Sequence, residues 1–110
     1  MRWYDYLMCF LGGAFLANFV PHFTRGVSGS SFPTPFASPP GRGLSRPPVN
    51  VLWGMANLVV GYALLRYGGF SVLSWPTMIT ALAGALIMGL QLGQVFSRLD
   101  RPAAAPRSAA

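Results

Sequence analysis

The chain has 110 residues, of which 53% are hydrophobic and only 9% are charged, whereas a soluble domain carries about 25% charged residues. This composition excludes a soluble domain with a polar surface and predicts a single-domain integral membrane protein. The net charge of +6 comes from eight arginines against two acidic residues. Because the arginines flank apolar stretches, we expect anionic membrane lipids as partners and no nucleic acid.

The first apolar stretch, Trp3–Val20, has roughly the 17–25 residues that a membrane-spanning helix requires. It is expected to end at Pro21, because proline removes a backbone hydrogen bond from a helix interior. An early acidic residue, Asp5, and the bulky Phe15-Leu16 at the cleavage region argue for a retained helix and against a signal peptide. The single cysteine, Cys9, is expected to be a small buried residue.

The connection to the next helix, residues 21–47, is long and rich in proline and glycine. Such a connection is typically either functional or disordered. Phenylalanines alternate here with arginines and no acidic residue occurs, which suits the headgroup region of a membrane. We therefore expect an interfacial segment whose lipid-headgroup ligands are Arg25, Arg42 and Arg46. The backbone of residues 28–31 beside Arg25 could also form a small anion nest.

The only histidine, His22, follows Pro21 at the predicted end of the first helix. It is expected either to bond the last carbonyl groups of that helix or, less simply, to be an axial ligand of a haem or chlorin. No Cys and His spacing predicts a metal site. Asp5 and Asp100 are predicted on opposite sides of the membrane, which excludes a carboxylate pair. The sequence therefore predicts no catalytic residue, no metal and no resident cofactor.

The second and third predicted helices cover Val49–Tyr67 and residues 75–97. The second follows Pro47-Pro48, which suits a first helical turn, and the third follows Ser74, a natural N-cap. Because only the short Gly68–Leu73 joins these helices, we expect them to form an antiparallel hairpin.

Beyond the third helix, residues 101–110 are a low-complexity tail that is predicted to be disordered. The fold class is thus an all-α membrane protein with three transmembrane helices and a long Pro/Gly-rich loop between helices 1 and 2. Three spans place that loop and the tail on one side, with six arginines against two on the other. This bias predicts the N-terminus outside and the C-terminus in the cytoplasm, unless Arg2 dominates insertion and reverses the orientation.

Small residues recur at every fourth position of the third helix. Such a stripe lets another helix approach closely in lipid. We expect a packing face whose partner is the first helix, the second helix or another chain. The helix-packing residues are Thr77, Ala81, Ala85, Gly89 and Gly93.

Five amide side chains lie within the predicted spans, and we expect a polar cluster near the cytoplasmic ends of the helices. The simpler role is interhelical hydrogen bonding, worth about 0.6 kcal/mol per bond on average. The alternative is a polar path for a substrate. The members of the cluster are Asn18, Asn50, Asn57, Gln91 and Gln94.

The run from Asn18 to Gly29, with Phe32-Pro-Thr-Pro-Phe-Ala and Asn50-Val-Leu-Trp-Gly, resembles a family of small bacterial membrane proteins of unknown function. The resemblance covers about residues 18–61. It implies the bacterial inner membrane and implies no activity or site.

Three functions agree with these patterns. The first is a non-enzymatic accessory or assembly subunit that packs through its small-residue faces, as a homo-oligomer or with a membrane-protein partner. The second is a small transporter or channel subunit in which the amide side chains line a path. The third, with the least support, is an accessory subunit that holds a cofactor through His22.

Overall fold

The structure, a computed structural model, describes residues 1–99. Each of its three helices is long and apolar enough to cross a membrane, which confirms an all-helical, multi-pass architecture. The tail predicted at residues 101–110 and Asp100 lie outside the described residues. The elements are α1 (Trp3–Val27), β1 (Phe32–Pro33), β2 (Leu44–Ser45), α2 (Pro47–Tyr67) and α3 (Trp75–Leu99), with β1 and β2 paired antiparallel.

The prediction that the first helix ends at Pro21 is wrong, because α1 continues to Val27. Pro21 removes only the hydrogen bond to the carbonyl oxygen of Ala17, and membrane helices tolerate such a loss. Gly26, in the added turns, lies against the backbone of the first turn of α2. Tertiary packing thus stabilises a helical stretch that the local sequence disfavours.

α1 lies between the other two helices and packs against both, whereas α2 and α3 barely touch each other. Two adjacent glycines explain this position. A Cβ added to Gly12 would meet Leu65 of α2, and a Cβ added to Gly13 would overlap the carbonyl oxygen of Ala81 in α3. Neighbouring helical residues point about 100° apart, so the two glycines open two different faces. α2 and α3 run antiparallel, as predicted, but α1 lies between them.

The contact between α1 and α2 is a seam of glycines and asparagines. Gly54 lies against the backbone of Phe23, and Gly61 lies against Leu16. The glycines let the two backbones approach, while the asparagines form hydrogen bonds. Buried positions of α2 alternate in steps of four and three, as in a coiled-coil seam. They are Asn50, Gly54, Asn57 and Gly61.

α1 and α3 cross at Gly13 and Gly84. A Cβ on Gly84 would overlap the carbonyl oxygen of Phe10, just as a Cβ on Gly13 would overlap that of Ala81. Each glycine therefore faces the carbonyl group three residues before the other glycine. This reciprocal arrangement permits Cα–H···O contacts between the two helices.

The turn end of the molecule comprises the N-terminus of α1 and residues 68–74, which join α2 to α3. Arg2 forms a two-point ion pair with Asp5, at 3.0 and 3.2 Å. The hydrogen bonds that the Arg2 guanidinium donates to the Asp5 carboxylate raise the pKa of Arg2. The Cys9 side chain is buried, with Sγ 3.5 Å from the carbonyl oxygen of Gly68. The ion pair thus closes the first turn of α1, and the Cys9 contact attaches α1 to the turn between α2 and α3.

Candidate functional site

The loop end of the molecule comprises the C-terminus of α1, residues 28–46, the N-terminus of α2 and the C-terminus of α3. At the turn end, the side chains of Trp3 and Trp75 are exposed, as in an interfacial aromatic belt. At 1.5 Å per residue, Arg25 and Arg98 lie about 33 and 35 Å further along their helices. The hydrocarbon core is about 30 Å thick. The arginines of the loop end therefore reach the headgroup level of the other leaflet.

His22 and Asn50 form the buried centre of the loop end, with exposures of 4% and 0%. The amide nitrogen of Asn50 donates to the carbonyl oxygens of Phe32 at 3.0 Å and Ser45 at 3.1 Å. Its Oδ1 atom therefore faces Nδ1 of His22, at 3.1 Å. Because an amide oxygen only accepts, Nδ1 carries the proton and donates. One asparagine side chain thus joins α1, α2, β1 and β2.

Aromatic rings enclose the imidazole of His22. The ring centroids of Phe32, Trp53 and Phe96 lie 5.3, 6.4 and 6.2 Å from its own. An axially bound haem or chlorin would need the space that these rings occupy. The geometry therefore opposes a role of His22 as a cofactor ligand. His22 forms a hydrogen bond with Asn50 of α2, where the sequence had predicted hydrogen bonds to the last carbonyl groups of α1.

Residues 28–46 form a hairpin with internal hydrogen bonds, and the loop predicted for residues 21–47 is divided between this hairpin and the end of α1. The carbonyl oxygen of Thr34 accepts hydrogen bonds from the N–H groups of Ala37 and Gly41. The buried hydroxyl groups of Thr34 and Ser45 form a hydrogen bond with each other. The hairpin therefore packs as a cap over His22.

An open cleft of about 370 Å³ lies between this hairpin and the C-terminus of α3. Two arginines line it together with apolar side chains and two hydroxyls. The guanidinium carbon of Arg25 lies 5.0 Å from the ring centroid of Phe32, a cation–π distance that orients the charge. The lining residues are Arg25, Ser31, Phe32, Pro33, Arg42, Leu44, Phe96 and Ser97.

A second depression of about 290 Å³ is lined by Gly41, Arg42, Val95 and Arg98, so Arg42 contributes to both. Within residues 1–99 the one acidic side chain is Asp5, which lies at the turn end, so the charged side chains that line the two depressions are all arginines. Arg46, the third predicted headgroup ligand, precedes the first turn of α2 and lines neither depression.

The anion nest predicted at residues 28–31 is wrong, because its N–H groups are already bonded. Those of Ser28, Gly29 and Ser30 donate to carbonyl oxygens in the last turn of α1. They cap the helix, with Gly29 in the left-handed region at a φ of +79°, as such caps require. Ser31 alone among these residues lines the cleft.

The predicted packing stripe of α3 is partly covered and partly open. Thr77 and Ala81 are buried, and Ala85 is half-buried. Gly89 and Gly93 are exposed, and a Cβ added to either would have no described atom within 4 Å. The covered part of the stripe thus faces α1, and the remainder faces away from the described helices.

Gly84, the glycine at which α3 crosses α1, does not belong to the predicted stripe. It follows Ala81 by three positions, whereas the stripe was drawn with a constant spacing of four. The spacing of Thr77, Ala81 and Gly84 alternates between four and three, which is the signal that would have found this contact.

The predicted amide cluster is also divided. Asn18 donates to Asn57 at 2.9 Å, Asn50 bonds His22, and these two pairs lie at different depths along α2. Gln91 and Gln94 are exposed, and neither side chain forms a hydrogen bond within residues 1–99. Hydrogen bonds between α1 and α2 explain why the three asparagines are placed in the helices. The five amide side chains do not come together as one polar path.

No protein-family model matches the chain, and comparisons with curated proteins and solved structures give no match. Among the described residues, no group of His, Cys, Asp or Glu side chains could hold a metal ion. The site is therefore defined by its own geometry, as a positively charged, partly apolar cleft at a membrane surface.

Proposed function

We propose that the protein is a non-enzymatic accessory subunit of the bacterial inner membrane that binds anionic lipid at its loop end. The cleft carries this proposal, because Arg25 and Arg42 line it beside apolar side chains at the level of the headgroups. Guanidinium groups form charge-assisted hydrogen bonds with phosphate. Each arginine near an anionic membrane surface contributes about 1 kcal/mol.

The helix dipoles at the loop end partly oppose the binding of an anion. The C-termini of α1 and α3 lie there, and each carries about half a negative charge. The N-terminus of α2 offsets one of them with about half a positive charge. Arg25, Arg42 and Arg98 contribute three full positive charges, which outweigh the remaining half negative charge of the helix dipoles.

In this proposal the loop end faces the cytoplasm. The support is the excess of arginines on the side of the loop and tail, six against two, since such residues favour the cytoplasmic side. One of the two arginines on the other side, Arg2, is paired with Asp5.

The lateral face of α3 is where a membrane partner or a second copy would pack in this proposal. Large apolar side chains of α3, including Ile79, Leu82 and Leu86, are more than half exposed. The open Gly89 and Gly93 would let another helix approach closely. This outer face suits an accessory or assembly role.

The test is lipid retention by the full chain purified in a mild detergent. Replacing Arg25 and Arg42 together with Gln should weaken the retention of phosphatidylglycerol about 25-fold, since each loss of about 1 kcal/mol is roughly fivefold. Native mass spectrometry measures the retained lipid. Raised salt should act in the same direction, because these charges are screened over about 8 Å at physiological ionic strength.

Arg66→Gln is the matched control, since it removes an exposed arginine at the turn end. It should leave the retained lipid unchanged. Equal retention by the double variant and by the natural protein would contradict the proposal.

A further inference from the structure

We infer that the loop end recognises a lipid that carries two phosphate groups in one headgroup, with Arg42 between the two phosphates. The inference rests on the proposed function and names the class of lipid. Two depressions meet at Arg42, and each has one further arginine, Arg25 in the first and Arg98 in the second. Three arginines therefore line the site, and Arg42 is the one that both depressions share.

The two depressions are neighbours along the last turn of α3. Phe96 and Ser97 line the first, and the flanking Val95 and Arg98 line the second. A single headgroup can reach both depressions because Arg42 lines both of them and because residues 95–98 span only about 4.5 Å along the helix axis. A lipid with one phosphate would occupy one depression and leave the other arginine unused.

Joining two phosphates in one molecule also favours binding. When the first phosphate is bound, the second is held near its arginine at a high effective concentration, so its binding becomes intramolecular. Two separate lipids would each lose their own translational freedom. The arrangement therefore discriminates by the linkage of the phosphates as well as by their number.

Apolar side chains beside the arginines indicate a lipid and not a soluble diphosphate. Leu44 of the hairpin, which lines the first depression, is 67% exposed, and Val95 of α3, which lines the second, is 37% exposed. Acyl chains next to the headgroup would cover such side chains, and burial is worth about 25 cal/mol per Å². A soluble anion would leave them uncovered.

The experiment compares two lipids at equal phosphate concentration. The delipidated full chain is titrated in mild detergent with cardiolipin, which has two phosphates, and with phosphatidylglycerol, which has one. Native mass spectrometry measures the bound fraction. The natural protein should bind cardiolipin about a hundredfold more tightly than phosphatidylglycerol, which is the lower end of the gain from linking two groups.

The Arg98→Gln variant tests the second depression separately. It should lose most of the preference for cardiolipin while it still binds phosphatidylglycerol through Arg25 and Arg42. Arg66→Gln, at the turn end, should keep the full preference. Melting temperatures of both variants in detergent should equal that of the natural protein, which shows that the changes act on lipid binding.

Three results would overturn the inference. Equal affinity for both lipids per phosphate would mean a site for single phosphates, and would leave the proposed function intact. An Arg98→Gln variant with the full cardiolipin preference would remove the second depression from the site. Displacement of cardiolipin by an equal concentration of inorganic pyrophosphate would identify a site for soluble diphosphates.

Discussion

Asn50 is the residue whose hydrogen bonds hold the loop end together. Its amide nitrogen bonds the carbonyl oxygens of Phe32 and Ser45, and its oxygen bonds His22. All of these groups are remote from water, so each would lose its partner if Asn50 became apolar. A buried polar group without a partner costs about 1–3 kcal/mol.

We predict that Asn50→Leu lowers the melting temperature in mild detergent and loosens the hairpin of residues 28–46. Trypsin should then cut faster after Arg42, which is exposed on the hairpin. Gln94→Leu, which removes an exposed amide of α3, is the control and should change neither measurement. An Asn50→Leu protein with natural stability and a natural cleavage rate would disprove the role assigned to Asn50.

The second buried amide pair is expected to contribute less. Asn18 and Asn57 share one direct hydrogen bond of 2.9 Å, and such bonds in membrane helices average about 0.6 kcal/mol. A double-mutant cycle with Asn18→Ala and Asn57→Ala should give a coupling free energy of about this size in reversible detergent unfolding. No measurable coupling would show that the bond does not stabilise the helix pair.

At the scale of elements, glycine positions determine which helices touch. A Cβ on Gly84 would overlap the backbone of α1, and backbone cannot move aside as a flexible side chain can. The same methyl group on Gly89 would meet no described atom. Gly84 and Gly89 therefore differ in whether they contact α1, although both are glycines of α3.

We predict that Gly84→Ala destabilises the protein, by an amount in the 1–3 kcal/mol range that overpacking typically costs. Gly89→Ala should leave the stability of the monomer unchanged or raise it slightly, because alanine favours helix over glycine. Thermal unfolding in detergent compares the two variants. The expectation from the sequence was a packing role for Gly89, so the contrast separates the two interpretations of α3.

A loss of oligomer in Gly89→Ala, with an unchanged monomer, would show that the outer face of α3 packs against a second copy. Equal destabilisation of the monomer by both changes would instead contradict the crossing of α1 and α3 at Gly84.

At the scale of the whole molecule, the three helices place opposite chemistry at the two ends. The turn end has exposed Trp3, Tyr67 and Trp75. The loop end has the cleft with Arg25 and Arg42. Aromatic rings suit either interface, whereas basic residues favour the cytoplasmic one.

We predict that the C-terminus lies in the cytoplasm and the N-terminus in the periplasm. A fluorescent protein fused after Ala110 should therefore fluoresce, and alkaline phosphatase fused there should be inactive, because that enzyme folds only after export. Active phosphatase together with a dark fluorescent fusion would reverse the orientation and place the cleft at the outer leaflet.

Local signals mark the end of the second helix and the start of the third. Ser74 precedes α3, where its hydroxyl accepts a hydrogen bond of 3.5 Å from the N–H of Thr77. Gly68 and Gly69 end α2, and their N–H groups donate to carbonyl oxygens of its last turn. These features depend on residues within one helical turn, so the sequence contains them directly.

The candidate site was predictable only in part. Arg25 and Arg42 were expected to contact headgroups because arginines beside phenylalanines suit an interface, and both line the cleft. Arg98 was not among those residues, since it lies more than fifty positions from Arg42 in the sequence. The grouping of these arginines depends on how the hairpin folds against α3.

The sequence by itself determined the three membrane-spanning helices, because transfer of a helix into lipid depends on hydropathy summed over about twenty residues and requires no partner. The tertiary structure alone decided that α1 lies in the middle, that Gly84 and not Gly89 touches it, and that α1 continues past Pro21. It also decided the pairing of His22 with Asn50. These outcomes depend on the rotation of each helix about its axis, which packing between distant residues sets and local sequence does not.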